Sequence, residues 1–527
     1  MAMMDQISHH KKRHLRASPF GLLCVAIIAV AAIAPILAVM SSFFQSDGGE
    51  FLQLPSTNEY ALGTFWLSLL VGIGASLIGV PTAMLVALTS FPGRRFLSIA
   101  LVLPFSIPAY ITAYTYADFL SPFGVGAGLG VFEIRSVAGA AFILTLSVYP
   151  YIYLAVRASL GARSGAFIEA ARSLGISPPR AFVQIFLPAG RAAFAGGLAL
   201  ALMETAADYG VSDYFGVKTL STGIFRTWYG LGNLTGASQL AAGLFLLALL
   251  LVALEKMSRR GRGADDARAL RGNARIKLSA TSSLIAIFVC ALPIVLGFLL
   301  PIFVLGTHAL DDNTIATWRG LSASFFNTAF LGFSGAATTI FIAIFLAFAA
   351  RNFEGHKIAG LVIQTATLGY ALPGAVIAIG ILTVVTWVPG LTIVNAGIAL
   401  LIYAYTARFL TAGYSAVTGG LTQINRSTDA AAKNLGAGSL RIMTTIHLPL
   451  NRKAIAAGGL IVFVDIMKEL PATLLLQPFN YQTIATRIYR LASDERLSDA
   501  APAALLLIFI STVAVILLDR VAGQEPH

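Results

Sequence analysis

Glu169-Ala170-Ala171-Arg172-Ser173-Leu174-Gly175 is followed, after nine residues, by Ile185-Phe186-Leu187-Pro188. The arrangement returns as Asp429-Ala430-Ala431-Ala432-Lys433-Asn434-Leu435-Gly436, nine residues, and Ile446-His447-Leu448-Pro449. Each copy reads as a short helix, a glycine break, a second short amphipathic helix and a proline near the start of a long apolar helix. Glycine allows a backbone turn that a Cβ disfavours. Proline in the first helical turn costs no hydrogen bond. The small alanines let another protein's surface approach closely. Counting back six positions from Gly436 gives Ala430, where the first copy has Glu169; Asp429 stands one position early.

Working outward, the whole chain repeats. Gly175 and Gly436, like Pro188 and Pro449, are 261 residues apart, and Phe91-Pro92-Gly93 returns 262 later as Phe353-Glu354-Gly355. The expected organisation is a first half over 1–256, a linker over 257–277 and a second half over 278–527. The repeated loops occupy 163–191 and 424–452. The linker contains Arg259-Arg260-Gly261-Arg262-Gly263 and reads as a flexible basic tether.

Composition places these halves in a membrane. Only 11% of the 527 residues are charged, 57% are hydrophobic, and mean hydropathy is +0.80. A soluble domain carries roughly 25% charged residues. A soluble enzyme, a disordered chain and a disulfide scaffold are excluded, and nucleic-acid binding lacks the charges it needs. Cys24 and Cys290 lie in apolar runs and read as small buried hydrophobes. A spanning helix needs about 20 apolar residues. Stretches free of Asp, Glu, Lys and Arg run over 17–46, 60–93, 96–117, 136–156, 227–254, 278–310, 320–350, 358–407 and 500–518. Pro389-Gly390 divides the 358–407 stretch in two, giving ten spans. Two further apolar segments, from about Ala192 and Ala454, carry charges. The expected fold is all-α and polytopic, about twelve spans in two tandem six-helix repeats.

The basic residues orient this topology. With the N-terminus inside, 28 Lys/Arg fall in inside segments and 7 outside, with Lys468 within a span. Both termini are then cytoplasmic. Topology alone accounts for the net charge of +12. The length of the first apolar run favours a retained helix over a cleaved signal. His9, His10 and His14 read as part of a solvated basic tail.

The two matched loops resemble the EAA loop of ABC importer permeases, the cytoplasmic element that docks into a groove on the ATPase subunit. Leu103-Pro104-Phe105-Ser106-Ile107-Pro108-Ala109-Tyr110, Met203-Glu204-Thr205-Ala206-Ala207-Asp208-Tyr209-Gly210 and Met467-Lys468-Glu469-Leu470-Pro471-Ala472-Thr473-Leu474 look like the fused ferric-iron permeases of type I importers. The resemblance spans about Gly63 to Leu518. It implies the type I permease fold, a bacterial inner-membrane location, two ATPase partners and a periplasmic binding protein. Glu169, Ala170, Ala171, Gly175, Asp429, Ala430, Ala431, Ala432 and Gly436 become docking candidates. Permeases for thiamine, polyamines and phosphonates are similar in build. The second loop, lacking Glu at Ala430, is expected to dock differently.

No Gly-x-x-x-x-Gly-Lys-Ser/Thr sequence occurs, and no catalytic constellation or zinc-type spacing stands out. ATP and magnesium are therefore expected on partner subunits, with no cofactor, catalytic residue or fixed metal site in this chain. Carboxylates inside a bilayer are costly. Glu204 and Asp208, and 261 residues later Asp465 and Glu469, are spaced i,i+4, which would share one helix face. Lys468 offers the second pair a partner. Two readings stay open: these groups cap broken helices, or they line and gate a pathway between the halves. Carboxylate and tyrosine oxygens suit a hard cation, and Tyr110, Tyr114, Tyr149 and Tyr370 lie within spans. A proton-coupled carrier would use such carboxylates as relays, but has no reason to present two docking loops.

Overall fold

The structure is a computed structural model. It describes residues 19–45, 57–122, 124, 126, 133–161, 173, 175–176, 178–259, 275–310, 315–353, 356–366 and 372–523. Glu169, Ala170, Ala171, Gly355, Tyr370 and most of the linker lie outside them. The regular secondary structure of the described residues is helical apart from one two-residue parallel pairing, Thr89–Ser90 with Ile276–Lys277.

Eight described helices are long and apolar enough to cross a membrane, or nine if one bent pair counts as a span. The expected twelve is thus not met by length and composition alone. The 96–117 stretch is not straight: Arg94–Ser106 and Ala109–Phe119 meet at 89°. Ile107-Pro108 explains the bend, because proline pushes the residue before it out of the helical region, and Ile107 sits at φ −94°, ψ 120°. Gly374–Trp387 has only 14 residues. The two charged segments form helices of 21 residues each, Leu187–Ala207 and Leu448–Lys468. They begin several residues before Ala192 and Ala454, with Pro188 and Pro449 in their first turns.

The expected division at Pro389-Gly390 appears as a turn with Gly390 at φ +80°. Thr392 and Asn395 then form a capping box that starts Ile393–Thr422. That helix runs far past Ala407, so Arg408 lies in its middle rather than at an inside boundary. Apolar side chains such as Leu77 and Phe341 stay more than 70% exposed, as a lipid-facing surface requires. Cys290 is buried, whereas Cys24 is half-buried rather than enclosed.

The repeat reaches the level of single hydrogen bonds. Thr64 Oγ1 accepts the Leu220 N–H at 2.8 Å, and Thr328 Oγ1 accepts the Ile484 N–H at 2.8 Å. Both accepted N–H groups open short helices capped by Thr219–Thr222 and Thr483–Thr486 boxes. Thr64→Val or Thr328→Val leaves a buried N–H unsatisfied, which costs about 1–3 kcal/mol. Each variant should lower thermal stability in detergent; unchanged melting in both would contradict this anchoring role.

Candidate functional site

The two charged helices both break at an acidic residue. Leu187–Ala207 ends at Asp208 (φ −63°, ψ 131°), and Leu448–Lys468 ends at Glu469 (φ −68°, ψ 121°). The expected i,i+4 helix faces are therefore corrected: Asp208 and Glu469 have left the helix. Each turns its carboxylate onto the exposed N–H groups of the next short helix, where the backbone offers unpaired donors. Asp208 accepts from Ser212 N and Ser212 Oγ, both at 3.0 Å. Glu469 accepts from Ala472 N at 3.1 Å, and from Thr473 N and Oγ1 at 3.0 Å.

The halves then diverge. Arg408 Nη1 donates to Glu469 Oε1 at 2.6 Å, and the Glu469 side chain is 1% exposed. Lys468 does not serve Glu469; it pairs with Asp465 at 3.7 Å and lies 4.7 Å from the centre of the Phe105 ring in the first half. The position of Arg408, less 261, is Ser147, so Asp208 has no equivalent cation. Space for the Arg408–Glu469 pair comes from Gly374, where a Cβ would fall on both the guanidinium and the carboxylate.

These groups surround a chamber of about 180 Å³ between the halves. Glu204, Asp208, Arg408, Asp465, Lys468 and Glu469 all line it, as do Ser147, Tyr110 and Tyr151. Glu204 lies about 26 Å along its helix at ~1.5 Å per residue, is exposed to this space and accepts no hydrogen bond among the described residues. Tyr110 Oη is buried and has no hydrogen-bond partner among the described residues. Tyr149 is not at the chamber; it donates to Leu101 O at 2.7 Å. No group of three or more metal-ligating side chains stands together among the described residues. Tyr209 also lines the chamber; it stacks on Phe225 at 3.7 Å and meets Tyr489 of the second half at 3.0 Å between hydroxyls. Tyr489 in turn donates to Asp213.

The loop around Gly436 is fully described and follows the expected order. Arg426–Asn434 is a helix, Gly436 has φ +80°, Ser439–Ile442 is a second helical turn, and a π-turn over Met443–His447 leads into Leu448–Lys468. Gly175 shares the left-handed conformation at φ +62°. Ala430, Ala431, Leu435 and Leu440 are exposed and Ala432 is half-buried, so the loop presents a small-residue and apolar surface. Asp429 faces the other way. It accepts from Arg351 Nε at 2.7 Å and lies 2.8 Å from His447 Nε2. Arg351 also donates to Leu421 O at 2.6 Å and Ile424 O at 2.9 Å. Asp429 thus ties the loop to its own half. Partial burial would raise its carboxyl, but the hydrogen bonds from Arg351 and His447 outweigh this and hold it below the usual carboxylate range.

Sequence reasoning missed Arg408, Gly374 and Arg351. Arg408 was legible only as a charge bordering an apolar run, Gly374 as one small residue among many, and Arg351 as an ordinary basic residue at a span end.

Residues 77–255 match the family described as "Binding-protein-dependent transport system inner membrane component". The chain is 26% identical over 522 residues to the Fe(3+)-transport system permease protein FbpB 2 of Haemophilus influenzae, covering 96% of this chain and 99% of that protein. The putative ferric transport system permease protein FbpB 1 of the same organism is 25% identical over 513 residues, 89% of this chain and 79% of its own length. A probable sulfate transport system permease protein, cysT of Nephroselmis olivacea, is 28% identical over 196 residues, only 36% of this chain and 69% of its own.

Two outcomes are expected. Arg408→Met alone should destabilise the chain by roughly 3–5 kcal/mol, because it strands a buried carboxylate, and Glu469→Gln added to it should restore most of the loss. Lys468→Met should be milder than Arg408→Met. Equal loss in the single and double variants would break the pairing argument. For Asp429, the low folded-state pKa means its stabilisation is full above the ordinary carboxylate range near ~4 and is lost as pH falls below it. Protection of the 426–434 amides, corrected for the intrinsic pH dependence of exchange, should fall on acidification and in Asp429→Asn at neutral pH; unaltered protection in the variant would remove the tether.

Proposed function

We propose that this chain, a permease of the ABC importer class, carries ferric iron from a periplasmic binding protein to the cytoplasm. The observation that carries this reading is the similarity to the ferric permease along 96% of the chain, through both halves and the chamber between them. Two ATPase subunits, holding ATP and magnesium, dock on the loops around Gly175 and Gly436, so one chain serves a whole transporter. The second loop docks through Ala430, Ala431, Ala432 and its exposed leucines, since Asp429 is engaged within the chain.

The chamber's charge supports a cationic cargo. Four carboxylates face two cations there. Arg408 is matched to Glu469 and Lys468 to Asp465, and among the described residues Glu204 and Asp208 form no ion pair of their own, although the charge of Arg408 also reaches Glu204. Carboxylate and tyrosine oxygens are hard donors suited to ferric iron. Scattered donors give passing contacts rather than a resting site, which speeds release. A divalent anion such as sulfate would meet the two unmatched carboxylates and be repelled. Proton coupling would leave the outward-turned surface of the loop around Gly436 without a purpose.

The test is reconstitution of the full complex in proteoliposomes with the binding protein on one side and ATP on the other. Iron uptake should require ATP and both partners, and sulfate and thiamine should not be carried. Glu204→Gln with Asp208→Asn should cut uptake about tenfold, ~1.4 kcal/mol in barrier terms, without reducing the amount of complex. Native mass spectrometry should find one chain with two ATPases. Uptake of sulfate or thiamine but not iron would overturn the assignment; two permease chains per complex would overturn the stoichiometry.

A further inference from the structure

The Thr89–Ser90/Ile276–Lys277 pairing fastens the end of the linker to the first half. It brings two linker cations, Arg275 and Lys277, to a place where the first half already holds three. The Arg94 guanidinium feels the charges of Arg275, Arg157 and Arg95. Two of these cations are held in place by the backbone. Arg94 Nη1 donates to Val86 O at 2.8 Å, and Arg157 Nη1 donates to Ser98 O at 3.0 Å while lying over the Tyr153 ring. Among the described residues, none of the five pairs with a carboxylate.

Beside the cluster runs a groove of about 740 Å³ lined by Ser90, Phe91, Pro92, Lys277, Leu278 and Leu284. Its wall continues into exposed apolar side chains: Phe96 is 73% exposed, Leu284 68% and Phe288 65%. Lys277 thus lines a groove whose wall runs into exposed apolar side chains. Basic residues that merely set topology are spread out and individually solvated. Here Arg94 and Arg157 are fixed by backbone carbonyls, Arg275 and Arg95 lie close enough for their charge to act on Arg94, and no described carboxylate pairs with the cluster.

We propose that this groove holds an anionic phospholipid, its phosphate among Arg94, Arg275 and Lys277 and its acyl chains along the Phe96–Leu284–Phe288 wall. The apolar wall is what selects a phospholipid over a free anion, and the charge cluster is what selects an anionic headgroup over a zwitterionic one. Since the groove is built from the first half, the end of the linker and the start of the second half, the bound lipid bridges them. Basic residues at a membrane surface attract anionic lipid by roughly fivefold each.

The full chain, purified in detergent and incubated with equal phosphatidylglycerol and phosphatidylcholine, would be examined by native mass spectrometry. The natural chain should retain phosphatidylglycerol preferentially. Arg275→Gln with Lys277→Gln, both exposed positions, should reduce that preference by about 25-fold if the two effects multiply. Arg94→Lys should largely keep it. The control pair Arg452→Gln with Lys453→Gln, exposed in the second half, should leave it unchanged. Equal retention of both lipids by the natural chain would overturn the proposal. So would an equal loss in the control pair, or displacement of the lipid by millimolar inorganic phosphate.

Discussion

A carboxylate taken out of water must be given back every interaction it loses, and Glu469 shows what that demands of a fold. Its side chain is almost wholly buried, and it accepts from a guanidinium, two backbone N–H groups and a hydroxyl. The backbone donors exist only where a helix begins, so the Leu448–Lys468 helix has to stop and a new one start beneath the carboxylate. The guanidinium comes from mid-helix at Arg408, and it fits only because residue 374 is glycine. Break, cation and glycine are one arrangement, and together they set the wall of the chamber.

The first half repeats the break but not the charge pair. Asp208 has its helix start and its serine, yet Ser147 stands where the second half has arginine. The two matching helix breaks thereby present two different faces. One is internally neutralised, and on the other Glu204 and Asp208 form no ion pair among the described residues. In the proposed transport cycle, the second wall is structural and the first is the one that meets the cargo. A contact between the Tyr209 and Tyr489 hydroxyls links the two halves beside the chamber.

The parts of this architecture governed by local rules were legible in the sequence. Gly175 and Gly436 adopt the left-handed backbone that their place in the motif implies, and Pro188 and Pro449 open helices. What periodicity hid was the consequence of pairing across the bundle. An arginine next to an apolar run reads as a membrane boundary, but a buried partner 61 residues away draws Arg408 inside. A spacing of four reads as one helix face, but the preference of a carboxylate for free N–H groups ends the helix first. Asp429 read as a displaced docking residue, while Arg351, 78 residues earlier in the chain, holds it inward. The 89° bend at Pro108 was written in the sequence but passed over, because an apolar run reads as straight.

The central claim is that the space between the two broken helices is the conduction route. It is tested most directly by placing a thiol in its wall. Ser147→Cys, in a chain with Cys24 and Cys290 replaced by alanine, adds one reporter of nearly unchanged size to the chamber. In sealed vesicles holding the complete transporter, a membrane-impermeant thiol reagent should reach this cysteine from one side at rest and from the other when ATP hydrolysis is blocked. A cysteine that stays unreactive from both sides in every nucleotide state would contradict the account.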